Sequence, residues 1–482
     1  MSFISVEFIL FFIITFVVYY IIPKKYRYVI LAIASYGIYI FWDAKYVLLL
    51  FLITVITYGG AFLLQTRYKK VSAVLLIGCI VGLLLFYRFG TFGINVLKNW
   101  GIITSSNQQS LVIPIGFSFY TLQTMGYLID VYNGKIPPEK NFIKYSIFVS
   151  FFLTIVSGPI ERTHNLLKQI QKGTDFSYEK AKKGILLIVY GCFQKIIIAD
   201  RIGPLVNHGF STYEEQTGAA LLVAVVLYGI QIYTDFAGYS NIAVGAGNLL
   251  GFDLIVNFRQ PYFACDIKEF WKRWHISLST WLKDYIYIPL GGSRRGKYTT
   301  YRNLMLTFIV SGIWHGTGIN YIIWGCLHGG YQLIGKVSEN YRIRLKGLLR
   351  VKEDCFSYQL WRRIITFSLV DFAWLFFGAS GTMAALGILK RIILEFQIGN
   401  TLSWKSYLLG MQEKRFMMLI TAIVIVVLID WLHEKKISII DWLNKQNLAF
   451  RWIVYFVVVM NLLVGIIYNY GTETSGFIYT RF

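Results

Sequence analysis

The sequence predicts an all-α membrane protein that crosses the bilayer many times, and three observations carry that expectation. Of 482 residues, 56% are hydrophobic and only 15% are charged, a balance foreign to soluble globular domains. Apolar runs of the length a bilayer requires, about 17–25 residues, recur along the chain. The net charge of +22 sits in short basic segments between those runs. That is the pattern of cytoplasmic loops under the positive-inside rule, so the lipid bilayer is the expected partner and nucleic acid is not.

The elements follow in order. The opening "MSFISVEFILFFIITFVVYYIIPKK" has no basic residue before its apolar run. It is therefore expected to be a first span with its N-terminus outside, not a cleaved leader. "PKKYR" (23–27) and "RYKK" (67–70) then lie in the cytoplasm, and spans at 3–22, about 28–42, 46–65 and 72–88 alternate between the two sides. Residues 89–110 make an external loop, and a fifth span at about 112–132 returns to "NGKIPPEKN" inside. The stretch 142–157 separates two basic clusters expected on the same side, so either it re-enters without crossing or the positive-inside rule fails there.

The same parity argument applies further on. Residues 259–303 carry nine Lys/Arg against three Asp/Glu, and 336–363 are again basic. Between them lie a run of about ten apolar residues (304–313), the break "WHGTG" and a longer run (319–333). This pattern predicts a cytoplasm-facing hairpin with its break near mid-membrane. Further spans near 184–199, 218–234, 364–378, 416–432 and 452–468 give roughly ten full crossings and two or three partial ones. They form a single integral-membrane domain, 1–482, with both termini outside. Cys79, Cys192 and Cys326 lie in apolar runs, and Cys265 and Cys355 in basic segments, so no disulfide framework is expected.

Histidine is rare at membrane depth, and His315 lies there. An ionisable residue in that position is by default a functional candidate. Gly316 and Gly318 let backbone N–H groups approach a ligand closely, as an oxyanion site requires. His328, in "WGCLHGG", is read equally as a helix-packing residue and a site residue. With Cys326 and His315 it lacks any metal-binding spacing, so no metal is expected. In residues 265–297, Phe270, Trp274, Leu278, Trp281 and Tyr285 form one apolar stripe, flanked by Lys272, Arg273 and Lys283. The spacing predicts one amphipathic interfacial helix. The glycine turn after it carries Arg294, Arg295 and Lys297, which suit the phosphates of a cytosolic cofactor and equally satisfy the positive-inside rule. Asp235 ends an apolar span before a glycine-rich stretch, where it caps a helix, sits at the interface or orients a histidine.

Taken together, "TDFAGYSNIAVGAGNLLGFDLIVNFRQPYFACDIKEFWKRWHISLSTWLKDYIYIPLGGSRRG" and "SGIWHGTGINYIIWGCLHG" resemble the membrane-bound O-acyltransferase family, in its bacterial polysaccharide O-acetyltransferase branch of the alginate type. The dense likeness covers about 228–330. The ending "SGFIYTRF", in the tail 469–482, resembles a Phe-Ile/Leu-Tyr-x-x-Phe motif of that branch, with Thr480 and Arg481 replacing an aromatic and an amide. The resemblance implies a ring of about 10–11 helices with re-entrant elements around a central tunnel. It implies that His315 is catalytic, that His275 is a second functional histidine, and that acetyl-CoA is the donor. It implies delivery to a polysaccharide acceptor outside the bacterial cytoplasmic membrane, with an SGNH-type acetyltransferase as partner. Tyr479 is then expected to carry the acyl group outward, with apolar plugging of the tunnel as the other reading of the tail. The chemistry fits the residue, since imidazole titrates near pH 6.5 and suits general-base work on a hydroxyl. Two alternatives stay open: transfer of another acyl group, such as D-alanine or a fatty acyl chain, and solute transport through glycine-broken helices.

Overall fold

A computed structural model describes residues 3–99, 111–156, 158–396 and 407–469. Tyr479 and most of the tail lie outside the described residues, as do 100–110 of the expected external loop. Among the described residues every regular element is helical.

The chain forms two compact units. The first comprises 1–188 and 239–256. It holds α1 (Val6–Ile21), α2 (Arg27–Asp43), α3 (Val47–Leu63), α4 (Lys69–Asn99), α5 (Phe117–Tyr132), α6 (Phe142–Ser150), α7 (Lys168–Lys172) and most of α8 (Tyr178–Cys192). The second comprises 189–238 and 257–482. It holds α9 (Asp200–Ser211), much of α10 (Gly218–Leu249), α11 (Ile267–Arg273), α12 (Ile276–Leu282), α13 (Lys297–His315) and α14 (Ile319–Val337). It continues through α15 (Glu339–Leu348), α16 (Phe356–Gly378), α17 (Thr382–Leu394), α18 (Glu413–Glu434), α19 (Ile439–Asn444) and α20 (Leu448–Asn469).

The segments Lys24–Leu63, Lys69–Ile94, Gly218–Leu249, Glu413–Glu434 and Leu448–Gly465 are long and apolar enough to cross a bilayer. Several elements depart from expectation. Helix α4 has 31 residues, so the first half of the expected loop 89–110 is helical. Helices α9, α15 and α17 occupy stretches read as connections. Helix α6 has nine residues and rises about 14 Å, half of a hydrocarbon core of about 30 Å. The irregular chain after it is buried, with Phe151, Phe152 and Leu153 at 0% exposure. The Phe152 N–H donates to Ser35 Oγ at 3.2 Å. Non-helical backbone at membrane depth needs that kind of protein cover.

Helix α10 has 32 residues and runs straight through the glycine-rich stretch read as its end. Its glycines are contact points. A Cβ at Gly245 would lie 2.5 Å from the Gly184 carbonyl oxygen, and one at Gly238 would lie 2.8 Å from that of Gly191. Small residues at such positions let helix backbones approach, the main packing device where lipid supplies no hydrophobic drive.

Asp235 is consequently not at a helix end. It is buried within α10, and its carboxylate meets Lys195 Nζ at 2.6 Å. Lys195 also meets Asp200 at 2.7 Å. The lysine sits in a π-helical turn, Phe193–Ala199, that joins α8 to α9. All three residues are buried, so the lysine offsets two charges that neither water nor lipid can screen. Lys195→Met is expected to destabilise the protein by about 3–5 kcal/mol, because it strands buried carboxylates. The triple change Lys195→Met, Asp200→Asn, Asp235→Asn is expected to recover most of that loss. Thermal unfolding of the purified variants in detergent checks both, and an unaltered midpoint for Lys195→Met refutes the account.

Candidate active site

The site grows from the hairpin of α13 and α14. A Cβ at Gly312 would collide with the Tyr321 carbonyl oxygen, and one at Gly325 with that of Phe308. The two arms therefore touch backbone to backbone. The first arm begins in the basic turn and has 19 residues, nearly twice the apolar run that predicted it. His315 is its last residue, about 20 Å along the helix from Arg302.

Beyond His315 the chain turns out of the helix. Gly316 is fully extended, and its N–H donates to the Gly312 carbonyl at 3.2 Å. A Cβ there would strike the Tyr321 ring, and one at Gly318 would strike Asn320 Oδ1. The glycines thus admit close side-chain packing at the hairpin tip, and the Gly316 amide is engaged inside the helix. The tip is anchored by Asn320, whose Nδ2 donates to the Phe376 carbonyl at 3.1 Å.

Among the described residues, three aromatic rings stand against the His315 imidazole, which is 3% exposed. Trp314 lies at 4.7 Å, Trp324 at 5.1 Å and Phe377 at 5.2 Å between ring centroids, all edge-on. Trp324 also contacts His328 at 5.1 Å, one helical turn on. His328 is fully buried, and its Nδ1 accepts a hydrogen bond from Trp271 Nε1 at 3.2 Å. An acceptor Nδ1 places the proton of the neutral ring on Nε2. His328 therefore braces α14 against α11 from within an aromatic cluster. Among the described residues, no three His, Cys, Asp or Glu side chains converge as a metal-ligand set.

His275 reaches the site by a different route. The expected single amphipathic helix over this segment is broken into α11 and α12. Between them His275 adopts φ 42°, ψ 53°, a left-handed conformation uncommon without glycine. Asn257 holds the break open. Its carbonyl accepts from the Ile276 N–H at 3.0 Å, and its Oδ1 accepts from the Ser277 N–H at 3.2 Å. The apolar stripe faces protein instead of lipid, because Phe270, Trp274, Leu278 and Trp281 are all buried. Surface anchoring is thus replaced by core packing, which is what makes a break at His275 affordable. The buried His275 ring meets Phe236 edge-on at 4.6 Å and Trp314 at 6.3 Å. Trp314 therefore contacts both histidines, His275 and His315.

The cations divide into two kinds. Arg273 pairs with Glu434 at 2.6 Å and with Glu269, and also donates to the Gln260 carbonyl. Those bonds commit it to tying α11 to α18. Lys272, Arg294, Arg295 and Lys297 are exposed. The last three stand on a turn with Gly291, Gly292 and Gly296 at positive φ. Asn303 braces that turn from α13, donating to the carbonyls of Leu290 and Gly292 at 3.1 Å each. Sequence reasoning passed over Asn257, Trp314 and Trp324. The tryptophans carried a signal in adjacency and helical spacing to the histidines, whereas Asn257 carried none.

Residues 132–382 match the model of the membrane-bound O-acyltransferase family. The chain is 38% identical over 381 residues to the probable alginate O-acetylase AlgI of Pseudomonas aeruginosa, covering 76% of this chain and 70% of that protein. It is 33% identical to the peptidoglycan O-acetyltransferase of Helicobacter pylori over 75% of this chain and 73% of that one. It is 30% identical to the teichoic acid D-alanyltransferase of Streptococcus thermophilus over 50% of this chain and 60% of that one. The matched region contains His275, His315, His328 and both kinds of cation.

His315→Gln keeps a polar side chain of similar reach and removes the imidazole. It is expected to fold and insert at normal yield while losing acyl transfer by about 10²–10⁴-fold. Retention of more than half the wild-type rate would refute a catalytic His315. His275→Ala is expected to cost less than His315→Ala, and the reverse order would exchange their roles.

Proposed function

Because the chain belongs to the membrane-bound O-acyltransferase family, and so is a multi-pass membrane acyltransferase, we propose that it moves acetyl from cytosolic acetyl-CoA across the bacterial cytoplasmic membrane for O-acetylation of an extracytoplasmic polysaccharide. The observation that carries this reading is His315, a buried imidazole at the tip of a glycine-packed hairpin. Acyl transfer from a thioester needs a base for the acceptor hydroxyl and stabilisation of a developing oxyanion. His315 takes the hydroxyl proton as that oxygen bonds to the acetyl carbon. The carbon–sulfur bond breaks, and the proton passes to the departing coenzyme A thiolate. Acetyl-CoA is thus a substrate, and no metal enters the scheme.

The family's chemistry displaces the solute-transport reading. D-Alanine transfer remains the second reading, since a teichoic acid D-alanyltransferase is among the relatives. Acetyl is favoured because the relatives named as O-acetylases share more identity over three quarters of this chain. The remaining parts of the proposal are an outward-facing pair of termini, an SGNH-type acetyltransferase partner and Tyr479 as the acyl carrier between them. A phenolic hydroxyl needs a base to react, and its ester stays activated enough to pass on.

Incubation of the purified protein with radiolabelled acetyl-CoA, followed by location of the label, tests the donor. Label on protein or polymer is expected, and none on either refutes an acetyl-CoA donor. Charge reversal of Arg294, Arg295 and Lys297 is expected to raise the KM for acetyl-CoA with little effect on folding, and raised salt to mimic it. An unchanged KM leaves those residues to topology alone. Tyr479→Phe deletes only a hydroxyl. It is expected to abolish polymer acetylation while leaving membrane yield unchanged, and wild-type polymer acetylation in this variant would make the tail structural.

A further inference from the structure

The first unit contains a basic cavity whose lining includes none of the residues proposed above for acyl transfer. It has a volume of about 230 Å³, and five cations line it: Lys24, Lys25, Arg27, Lys144 and Lys172. No acidic side chain is among the lining residues. The cations come from three separate parts of the chain: the α1–α2 connection and the start of α2, helix α6, and the end of α7. A positive-inside bias explains cations near a membrane face, but it does not require them to converge on one hollow.

The cavity is also built. The Tyr19 and Thr174 hydroxyls are bonded at 2.7 Å in its buried wall. Arg27 donates to the carbonyls of Thr174 at 2.8 Å and Ile22 at 3.1 Å, with its guanidinium over the Tyr19 and Tyr20 rings. Lys144 donates to the Gln171 carbonyl at 3.1 Å and lies over the Tyr28 ring. Gly173, at φ 70°, turns the chain so that the Lys24 stem crosses it, where a Cβ would sit 3.3 Å away. Lys24 has one carboxylate neighbour, Asp175 at 2.6 Å, whose carboxyl the lysine holds below its usual value. Among the described residues, Lys25 and Lys172 make no direct ion pair, although the Lys172 charge also acts on Asp175.

We propose that this cavity binds a phosphate or diphosphate group, from either an anionic lipid headgroup or a soluble organophosphate. Cations converging on a hollow of that size, three of them held by bonds to the chain, match the charge and hydrogen-bond demand of phosphate oxygens. Tyr19 and Tyr28 supply surface for the carbon skeleton attached to the phosphate.

The test uses full-length protein purified in detergent, with Lys25→Gln/Lys172→Gln as the variant. Lys69→Gln/Lys70→Gln removes the same charge from an exposed basic pair outside the cavity. Radiolabelled pyrophosphate is measured by equilibrium binding. Thermal unfolding is compared in phosphatidylcholine nanodiscs with and without phosphatidylglycerol. Pyrophosphate binding weakened by about tenfold or more in the cavity variant alone supports a soluble source. Stabilisation by phosphatidylglycerol that only the cavity variant loses supports a lipid source. If wild type responds to neither ligand, or the control pair loses the response equally, the proposal is overturned and topology accounts for the cations.

Discussion

The position of His315 depends on one contact, the backbone-to-backbone approach of α13 and α14 at Gly312 and Gly325. In lipid, helices gain little from burying apolar side chains against each other, so close packing must hold the hairpin together. Any Cβ at either glycine would push against a carbonyl of the opposite arm, which cannot move without bending its helix. The Trp324 contact to the imidazole follows from that spacing, while Phe377 reaches the ring from α16.

A second constraint shapes the rest. Backbone that leaves the helix, and charge that leaves water, are tolerated here only where protein surrounds them. The coil after α6 is buried from Phe151 to Ile155, the break at His275 is bonded by Asn257, and the Lys195 ammonium is shared by two carboxylates. These are separate solutions to one problem. They place the irregular features inside the protein units, where a break can position a side chain without exposing orphaned backbone to lipid.

The helical class and most spans were legible because apolar run length and basic flanks follow directly from bilayer thickness and charge placement. Helices α9, α15 and α17 were missed because they are short or strongly polar for their length, so hydropathy alone does not mark them. The end of α10 was misread for a different reason. Glycine suggests a turn when neighbours are unknown, yet Gly238 and Gly245 are helix-packing positions whose partners lie far off in sequence. The apolar stripe from Phe270 to Trp281 was correctly seen as one face, but periodicity cannot say whether that face meets lipid or protein. Within the site, histidine and glycine stood out by rarity at membrane depth. Asn257 was invisible because its role is to hold two amides brought to it by the fold. Arg273 and Arg294 read alike as cations, and the carboxylates of Glu434 and Glu269 beside Arg273 separate them.

The aromatic enclosure bears on how such a site avoids hydrolysing its own substrate. Under the role proposed for His315, an activated acyl group beside this imidazole is at risk from any water that reaches the ring. Around His315, three rings stand edge-on within about 5 Å, and the residue is 3% exposed. Such rings offer loosely held water few hydrogen-bond acceptors. An acceptor hydroxyl delivered on a shaped carrier can displace those rings through its own binding energy, which water lacks. The same enclosure keeps electrostatic interactions strong, since few mobile dipoles are present to screen them. Under the role proposed for His315, selectivity for transfer over hydrolysis rests on the tryptophans as much as on the histidine. The hairpin glycines serve both ends, because the spacing that positions His315 also closes the rings around it.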